Sequence, residues 1–307
     1  MFNCTTEVKN QQVHLAVLKQ KQIELFVKRE DKNCTLASGN KFRKLKYNIL
    51  KAQELQYDTL VTFGGAYSNH IVATAVAGNY LGFKTIGIIR GKELAKALKL
   101  NPSLQLATDN NMQLKFISRE AYRNKNSEKF VQQLQEEFGK FYLLPEGGTN
   151  DLAIKGCEEI LSAEDEIFDY ICCSVGTGGT LLGLINSAKG KQKVLGFLAL
   201  KVNFLKGEIK KLSQKRHNCH LQTPYHFGGF AKFNSKLITF INKFKQQTGI
   251  PLDPIYTGKM LYGILEMISE DKFPPKSKIL AIHSGGLQGI KGANNKLKNQ
   301  GLPLIDV

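Results

Sequence analysis

Apolar, β-branched runs that stop in glycine-rich turns and restart as helical patterns recur along this chain of 307 residues. Residues 59–63 (TLVTF) run into Gly64-Gly65-Ala66-Tyr67-Ser68-Asn69-His70, followed by an alanine-rich helical pattern over 71–81. Residues 169–173 run into Ser174-Val175-Gly176-Thr177-Gly178-Gly179-Thr180 and a helix over 181–188, and residues 279–282 run into His283-Ser284-Gly285-Gly286. Strands separated by helix-length segments pair in parallel through crossovers. The pattern therefore predicts an α/β fold of open, twisted, mostly parallel sheets with helices on both faces. Such sheets place ligands at the carboxyl ends of their strands, where these glycines fall.

The remaining punctuation gives strands at 13–18, 23–27, 84–89, 113–117 and 194–200, and helices following Lys41 and over 93–100, 127–138, 150–160, 234–248 and 260–268. The segment 206–218 is polar and basic with little periodicity, which suits a mobile loop or a weakly held helix. His217, Cys219 and His220 crowd there without the second ligand pair of a zinc site, so no metal is expected. At 42% hydrophobic the chain can bury a large core. No apolar run reaches the eighteen or more residues of a membrane span and the first twelve residues lack an apolar signal core, so a soluble, cytoplasmic protein is expected. The six cysteines show no pairing framework and read as reduced thiols, Cys172-Cys173 serving as small hydrophobes. The net charge of +17 is spread along helical patterns, with no run of five like charges. It suits the attraction of small anions, and no nucleic-acid partner is expected.

Ser38-Gly39-Asn40-Lys41-Phe42-Arg43-Lys44-Leu45 places two lysines and an arginine where a helix begins, although cations in a first turn oppose the helix dipole. A basic surface would explain this, and so would an anionic ligand. A lysine among positive neighbours has its ammonium form disfavoured, which frees the amine of Lys41 as a Schiff-base nucleophile. The turn Gly176-Thr177-Gly178-Gly179-Thr180 opens a helix with glycines that admit close backbone approach and threonines that donate hydroxyls, which suits a monophosphate or a purely structural turn. It lacks the spacing of a dinucleotide fingerprint and the Gly-Lys-Ser/Thr of a P-loop. Ser68, Asn69 and His70 gather hydroxyl, amide and imidazole at another helix start, suited to a carboxylate or phenolate oxygen, or to capping. A Schiff-base lysine, a monophosphate cradle and a carboxylate turn together describe pyridoxal 5'-phosphate and an amino-acid substrate.

The order Gly-Asn-Lys-Phe-Arg-Lys-Leu, Gly-Gly-Ala-Tyr-Ser-Asn-His, Glu-Gly-Gly-Thr-Asn, Gly-Thr-Gly-Gly-Thr, Tyr-Thr-Gly-Lys and His-Ser-Gly-Gly resembles the pyridoxal-phosphate-dependent 1-aminocyclopropane-1-carboxylate (ACC) deaminases and D-cysteine desulfhydrases, of the tryptophan synthase β-like fold (fold type II). The resemblance spans about residues 27–290. It implies a large domain from residues 1–44 and 147–307, a smaller α/β domain over 45–146, and the cofactor in the cleft between them. Lys41 would hold the cofactor and later move the α-proton. Lys44, Gly176, Thr177, Gly178, Gly179 and Thr180 would bind its phosphate, and Asn69 would lie by its ring hydroxyl. Ser68 would contact the substrate carboxylate or assist proton transfer, with Asn69 and His70 beside it, and Tyr256 would reach the reacting carbon or leaving group. The family is usually dimeric.

Departures from the pattern bear on the substrate. ACC-opening enzymes carry Tyr-Glu where this chain has Tyr256-Thr257, so Thr257 or Ser284 would face the pyridine nitrogen, a weaker electron sink suited to elimination of a good leaving group. His70 replaces a glutamine of the ACC enzymes and agrees with the desulfhydrases. Tyr67 stands where both often have glutamine, and Phe230 lies where ACC deaminases carry a second tyrosine. The expectation is elimination from D-cysteine to pyruvate, sulfide and ammonia, with ACC deamination to 2-oxobutanoate as the alternative.

Overall fold

The computed structural model describes residues 8–34, 38–200 and 218–306. Two sheets organise the chain. Four parallel strands, β3 (Thr59–Gly64), β4 (Lys84–Arg90), β5 (Met112–Ile117) and β6 (Tyr142–Leu144), form one sheet in the order β5-β4-β3-β6. The other runs β1-β2-β10-β7-β8-β9, from β1 (Asn10–Val13), β2 (Glu24–Lys28), β7 (Tyr170–Val175), β8 (Lys193–Leu198), β9 (Cys219–Gln222) and β10 (Lys278–Ile282). Every pair in it is parallel except β1 with β2.

Both faces of the six-stranded sheet are covered, which is why its central strands read as unbroken apolar runs. Along β10, Ile279 and Ala281 face the core under helices Ser235–Thr248 and Thr257–Ser269, while Leu280 and Ile282 face the core under α7 (Asp151–Glu158) and α8 (Gly179–Ser187). Cys172 and Cys173 of β7 divide between the same two cores. They fill space as small hydrophobes, and burial pushes both thiols upward in pKa. The four-stranded sheet buries Leu60 and Leu144 against α2 (Asn40–Glu54) and α3 (Asn69–Leu81), and Val61, Phe63, Ile86 and Ile88 on its other face.

Several expectations are corrected. Residues 13–18 do not form a strand: β1 ends at Val13 and Ala16–Lys21 is a helix, α1, that turns Leu18 into the core. A short apolar run carries too few residues to separate the two periods, and Ala16, Lys19 and Lys21 favour a helix. Lys92–Leu100 is 3-10 rather than α-helical, and a further helix, Pro102–Asp109, follows it behind an Asn101 cap. The segment expected as a mobile loop or weakly held helix lies outside the described residues as far as 217, and from Cys219 the chain is β9, paired with β8. Cys34 is disulfide-bonded, whereas Cys157, Cys172, Cys173 and Cys219 are free. Loop spacing alone did not carry that pairing. Among the described residues no helix is long and apolar enough to cross a membrane.

Candidate active site

The carboxyl ends of both sheets converge on one cavity of about 390 Å³. The four-stranded sheet contributes Gly65, Ser68, Asn69 and His70 beyond β3, Arg90 at the end of β4, and Glu146 and Gly147 beyond β6. From the six-stranded sheet come Ser174 to Gly178 and Thr180 around the end of β7, Leu200 beyond β8, and Ser284 and Gly285 beyond β10. The first turn of α2 closes the floor with Asn40, Lys41 and Lys44.

Lys41 is held there by an unusually close backbone approach. Gly39 sits at φ 75°, and a Cβ built on it would lie 2.0 Å from the Ser284 carbonyl oxygen, so only glycine fits. The Gly39 and Asn40 amides donate to the carbonyls of Glu30 (3.0 Å) and Ser284 (3.2 Å). Glu30, fully buried, accepts a two-pronged ion pair from Arg43 at 2.8 and 3.0 Å and a bond from Asn33, tying the loop before Lys41 to the helix that carries it. Burial first, and then the neighbouring Lys44 ammonium, push the Lys41 amine down to about 7. Its Nζ donates to Asn40 Oδ1 at 3.0 Å.

Lys44 lies one helical turn on and is pushed down by burial. Its Nζ donates to the Gly147 carbonyl (3.0 Å), Thr149 Oγ1 (2.9 Å) and Thr177 Oγ1 (3.3 Å), and meets no carboxylate among the described residues. Beside it, helix α8 begins with no side-chain cap, behind Gly178 at φ 90°. A Cβ on Gly179 would stand 3.0 Å from Thr149 and 3.1 Å from Lys44 Nζ. Uncapped helix N–H groups, hydroxyls and an uncompensated ammonium form an anion cradle. Gly179 frames it from behind without lining the cavity, and Thr180 Oγ1 accepts from Asn40 Nδ2 at 2.8 Å.

On the opposite wall Ser68 lines the cavity and also caps α3, its Oγ accepting from the Ile71 amide at 3.3 Å. Asn69 Oδ1 accepts from Gln288 at 3.3 Å. His70 is 1% exposed, yet neither ring nitrogen finds a hydrogen-bond partner among the described residues. Burial, then Lys41 and Lys44, hold the imidazole neutral, well below its ordinary pKa. A neutral buried ring that lines the cavity with unpaired nitrogens is a group waiting for a ligand.

Tyr256 precedes helix Thr257–Ser269. Its ring stands against the Gly176 backbone, where a Cβ would come to 3.2 Å, and meets the Phe230 ring edge-on with centroids 6.2 Å apart. Burial, followed by the charges of Asp253 and Glu146, raises the phenol pKa.

Thr257 does not reach the cavity. It is fully buried, its hydroxyl donating to Asp253 Oδ2 at 2.6 Å and accepting from the Asp253 amide at 3.0 Å. Asp253 caps this helix, also receiving the amides of Ile255, Tyr256 and Thr257, and so turns Thr257 inward. Of the two hydroxyls expected to face a ring nitrogen, Ser284 alone lines the cavity, with Ser174 Oγ at 3.4 Å. The carboxylate on the lining is Glu146, bound by the Tyr122 hydroxyl at 2.7 Å and by Lys125 at 3.2 Å. Asn40, Arg90, Glu146 and Ser174 went unassigned from sequence. Position at a strand end was the available signal for the last three.

The family model described as "Pyridoxal-phosphate dependent enzyme" matches residues 6–211. A bifunctional D-cysteine desulfhydrase/ACC deaminase, mitochondrial, of Arabidopsis thaliana is 34% identical over 295 residues, covering 87% of this chain and 73% of the relative. An ACC deaminase of Pseudomonas syringae pv. syringae is 27% identical, covering 88% of each. The crystal structure of an ACC deaminase homologue superposes with a TM-score of 0.82 at 25% identity, covering 96% of this chain and 94% of the other.

Proposed function

The chain belongs to the pyridoxal-phosphate-dependent enzymes, in the family of ACC deaminase and D-cysteine desulfhydrase, and from that premise we propose that it eliminates sulfide from D-cysteine, giving pyruvate and ammonia. The cavity fits the cofactor. The uncapped start of α8 at Gly179, with Thr177, Gly178 and Lys44, would hold its phosphate, Asn69 its ring hydroxyl, and Ser284 its ring nitrogen. Bound there, pyridoxal phosphate supplies an electron sink for charge developing at the substrate α-carbon.

The chain's own groups divide the remaining work. Lys41, pushed down to about 7, is about half free amine near neutral pH, and would be the base that takes the α-proton. Ser68 and the α3 amides, with His70 behind them, receive the substrate carboxylate. Tyr256, whose phenol stays protonated, donates to the departing sulfur. Residues 45–146 act as the smaller domain, and the enzyme works as a cytoplasmic homodimer.

One observation favours elimination over ring opening. With Thr257 bonded to Asp253 and Glu146 tied to Tyr122 and Lys125, no free carboxylate among the described residues is left beside Ser284 to hold a proton on the ring nitrogen. A neutral ring withdraws less charge, which a good leaving group such as sulfide tolerates. The ACC deaminase name shared by several relatives supports the second reading, 2-oxobutanoate from ACC. Assaying cofactor-loaded protein for pyruvate and sulfide from D-cysteine, beside 2-oxobutanoate from ACC, tests the choice. Product from ACC at comparable kcat/KM refutes it.

A further inference from the structure

Lys259 is 2% exposed and sits in the helix that begins after Tyr256. A buried ammonium is costly unless its donors are matched, and among the described residues no carboxylate lies within ion-pair distance of it. Its Nζ donates instead to two main-chain carbonyls, those of His226 (2.9 Å) and Gly229 (2.8 Å). Those carbonyls already accept the amides of Gly229 and Lys232, so the ammonium occupies their second lone pairs. Asp253 and Lys296 are the charged groups that act on it from neighbouring elements, and burial, joined by Lys296, outweighs Asp253 in pushing the amine down to about 8.

The turn it holds is strained. Phe227 (φ 50°), Gly228 (93°), Gly229 (111°) and Ala231 (52°) are all left-handed, and two of these carry side chains. One helix face packs against this turn. Tyr262 meets the Phe227 ring at 4.9 Å, a Cβ on Gly263 would come within 2.7 Å of Tyr225, and Lys259 lies on the same face one turn earlier. From the far side Lys296 donates to the Ala231 carbonyl at 3.0 Å. The turn delivers Phe230, which lines the cavity against the Tyr256 ring.

We propose that Lys259 is the positioning residue of the substrate pocket's aromatic end: by clamping the His226 and Gly229 carbonyls it holds Phe230 on Tyr256, and so sets which substrate side chains fit opposite Lys41. The proposal rests on the reading above that Tyr256 meets the reacting group. Phe230 and Lys259 then act as one unit, and replacing either removes the same wall.

The test is a double-mutant cycle of Lys259→Met and Phe230→Leu, with hydrogen exchange of the 226–231 segment measured beside KM and kcat. Lys259→Met should speed exchange in that segment about tenfold or more and raise KM for D-cysteine several-fold, with cofactor loading unchanged. Adding Phe230→Leu should raise KM no further. Additive effects on KM, or unchanged exchange in Lys259→Met, would overturn the proposal. If Lys259→Met does not fold, Phe230→Leu alone decides: unchanged KM and kcat mean that the wall selects nothing. The exchange measurement needs no turnover, so absence of product from every amino acid counts against elimination and not against the clamp.

Discussion

Lys41 should be among the most reactive amines of the apo protein near neutrality, and trace acylation can read this directly. With its amine pushed down to about 7 from 10.5, about half of Lys41 is free base at pH 7. An ordinary lysine has roughly one part in 3,000. Exposing apo protein to a trace of acetic anhydride between pH 6 and 11 and mapping the labelled peptides gives one titration curve per lysine. The Lys41 curve should level off near pH 8, where surface lysines are still climbing. Lys44→Gln tests the second cause. Two ammonium groups one helical turn apart, roughly 6 Å, repel by about 2–3 kcal/mol at an effective dielectric near 20. Removing that charge should raise the proton affinity of Lys41 by about ten- to a hundredfold, moving its curve upward in pH. The curve should still fall short of an ordinary lysine, because burial is the larger cause. The folded protein holds Lys41 less protonated than the unfolded chain does, so this group makes apo stability rise with pH between about 7 and 10.5. A wild-type midpoint near 10.5, or a downward move in Lys44→Gln, would refute the reasoning.

Lys41→Ala should leave no cofactor attached after borohydride reduction and lower turnover by at least about 10³-fold, measured by absorbance and pyruvate formation. Glu30→Gln removes the buried, two-pronged partner of Arg43, leaving it only the longer contact with Glu159 at 3.7 Å, and should cost about 3 kcal/mol in urea unfolding, with slower cofactor uptake as the Lys41 loop loosens. Gly156→Ala would drive a Cβ to 1.9 Å from the Arg43 carbonyl oxygen, so α2 and α7 must separate, and unfolding should show a loss of about 1–3 kcal/mol. Thr257→Glu should not create ACC deaminase activity. It would set a second carboxylate beside buried Asp253, and the expected readouts are a stability loss of about 2 kcal/mol or more and no 2-oxobutanoate.

The parts of the site that were legible in the sequence are those where a turn and its ligand group are made by neighbouring residues. Gly178 must adopt a left-handed φ, Gly179 must admit Lys44, and Ser68 to His70 must open a helix, so each leaves a mark within a few positions. What stayed hidden is made by residues far apart in the chain. Arg90 and Glu146 are single charges at strand ends, and only the parallel pairing of β4, β3 and β6 aims them into one space. Thr257 shows the same limit from the other side. Its neighbour Tyr256 lines the cavity, and from sequence the two could share a role. Asp253, four residues earlier, takes the hydroxyl for a cap and turns it away. The position matters because a threonine that serves the fold leaves Ser284 as the cavity hydroxyl of that pair, and an acid introduced at 257 would first have to displace the cap that holds Tyr256 in place.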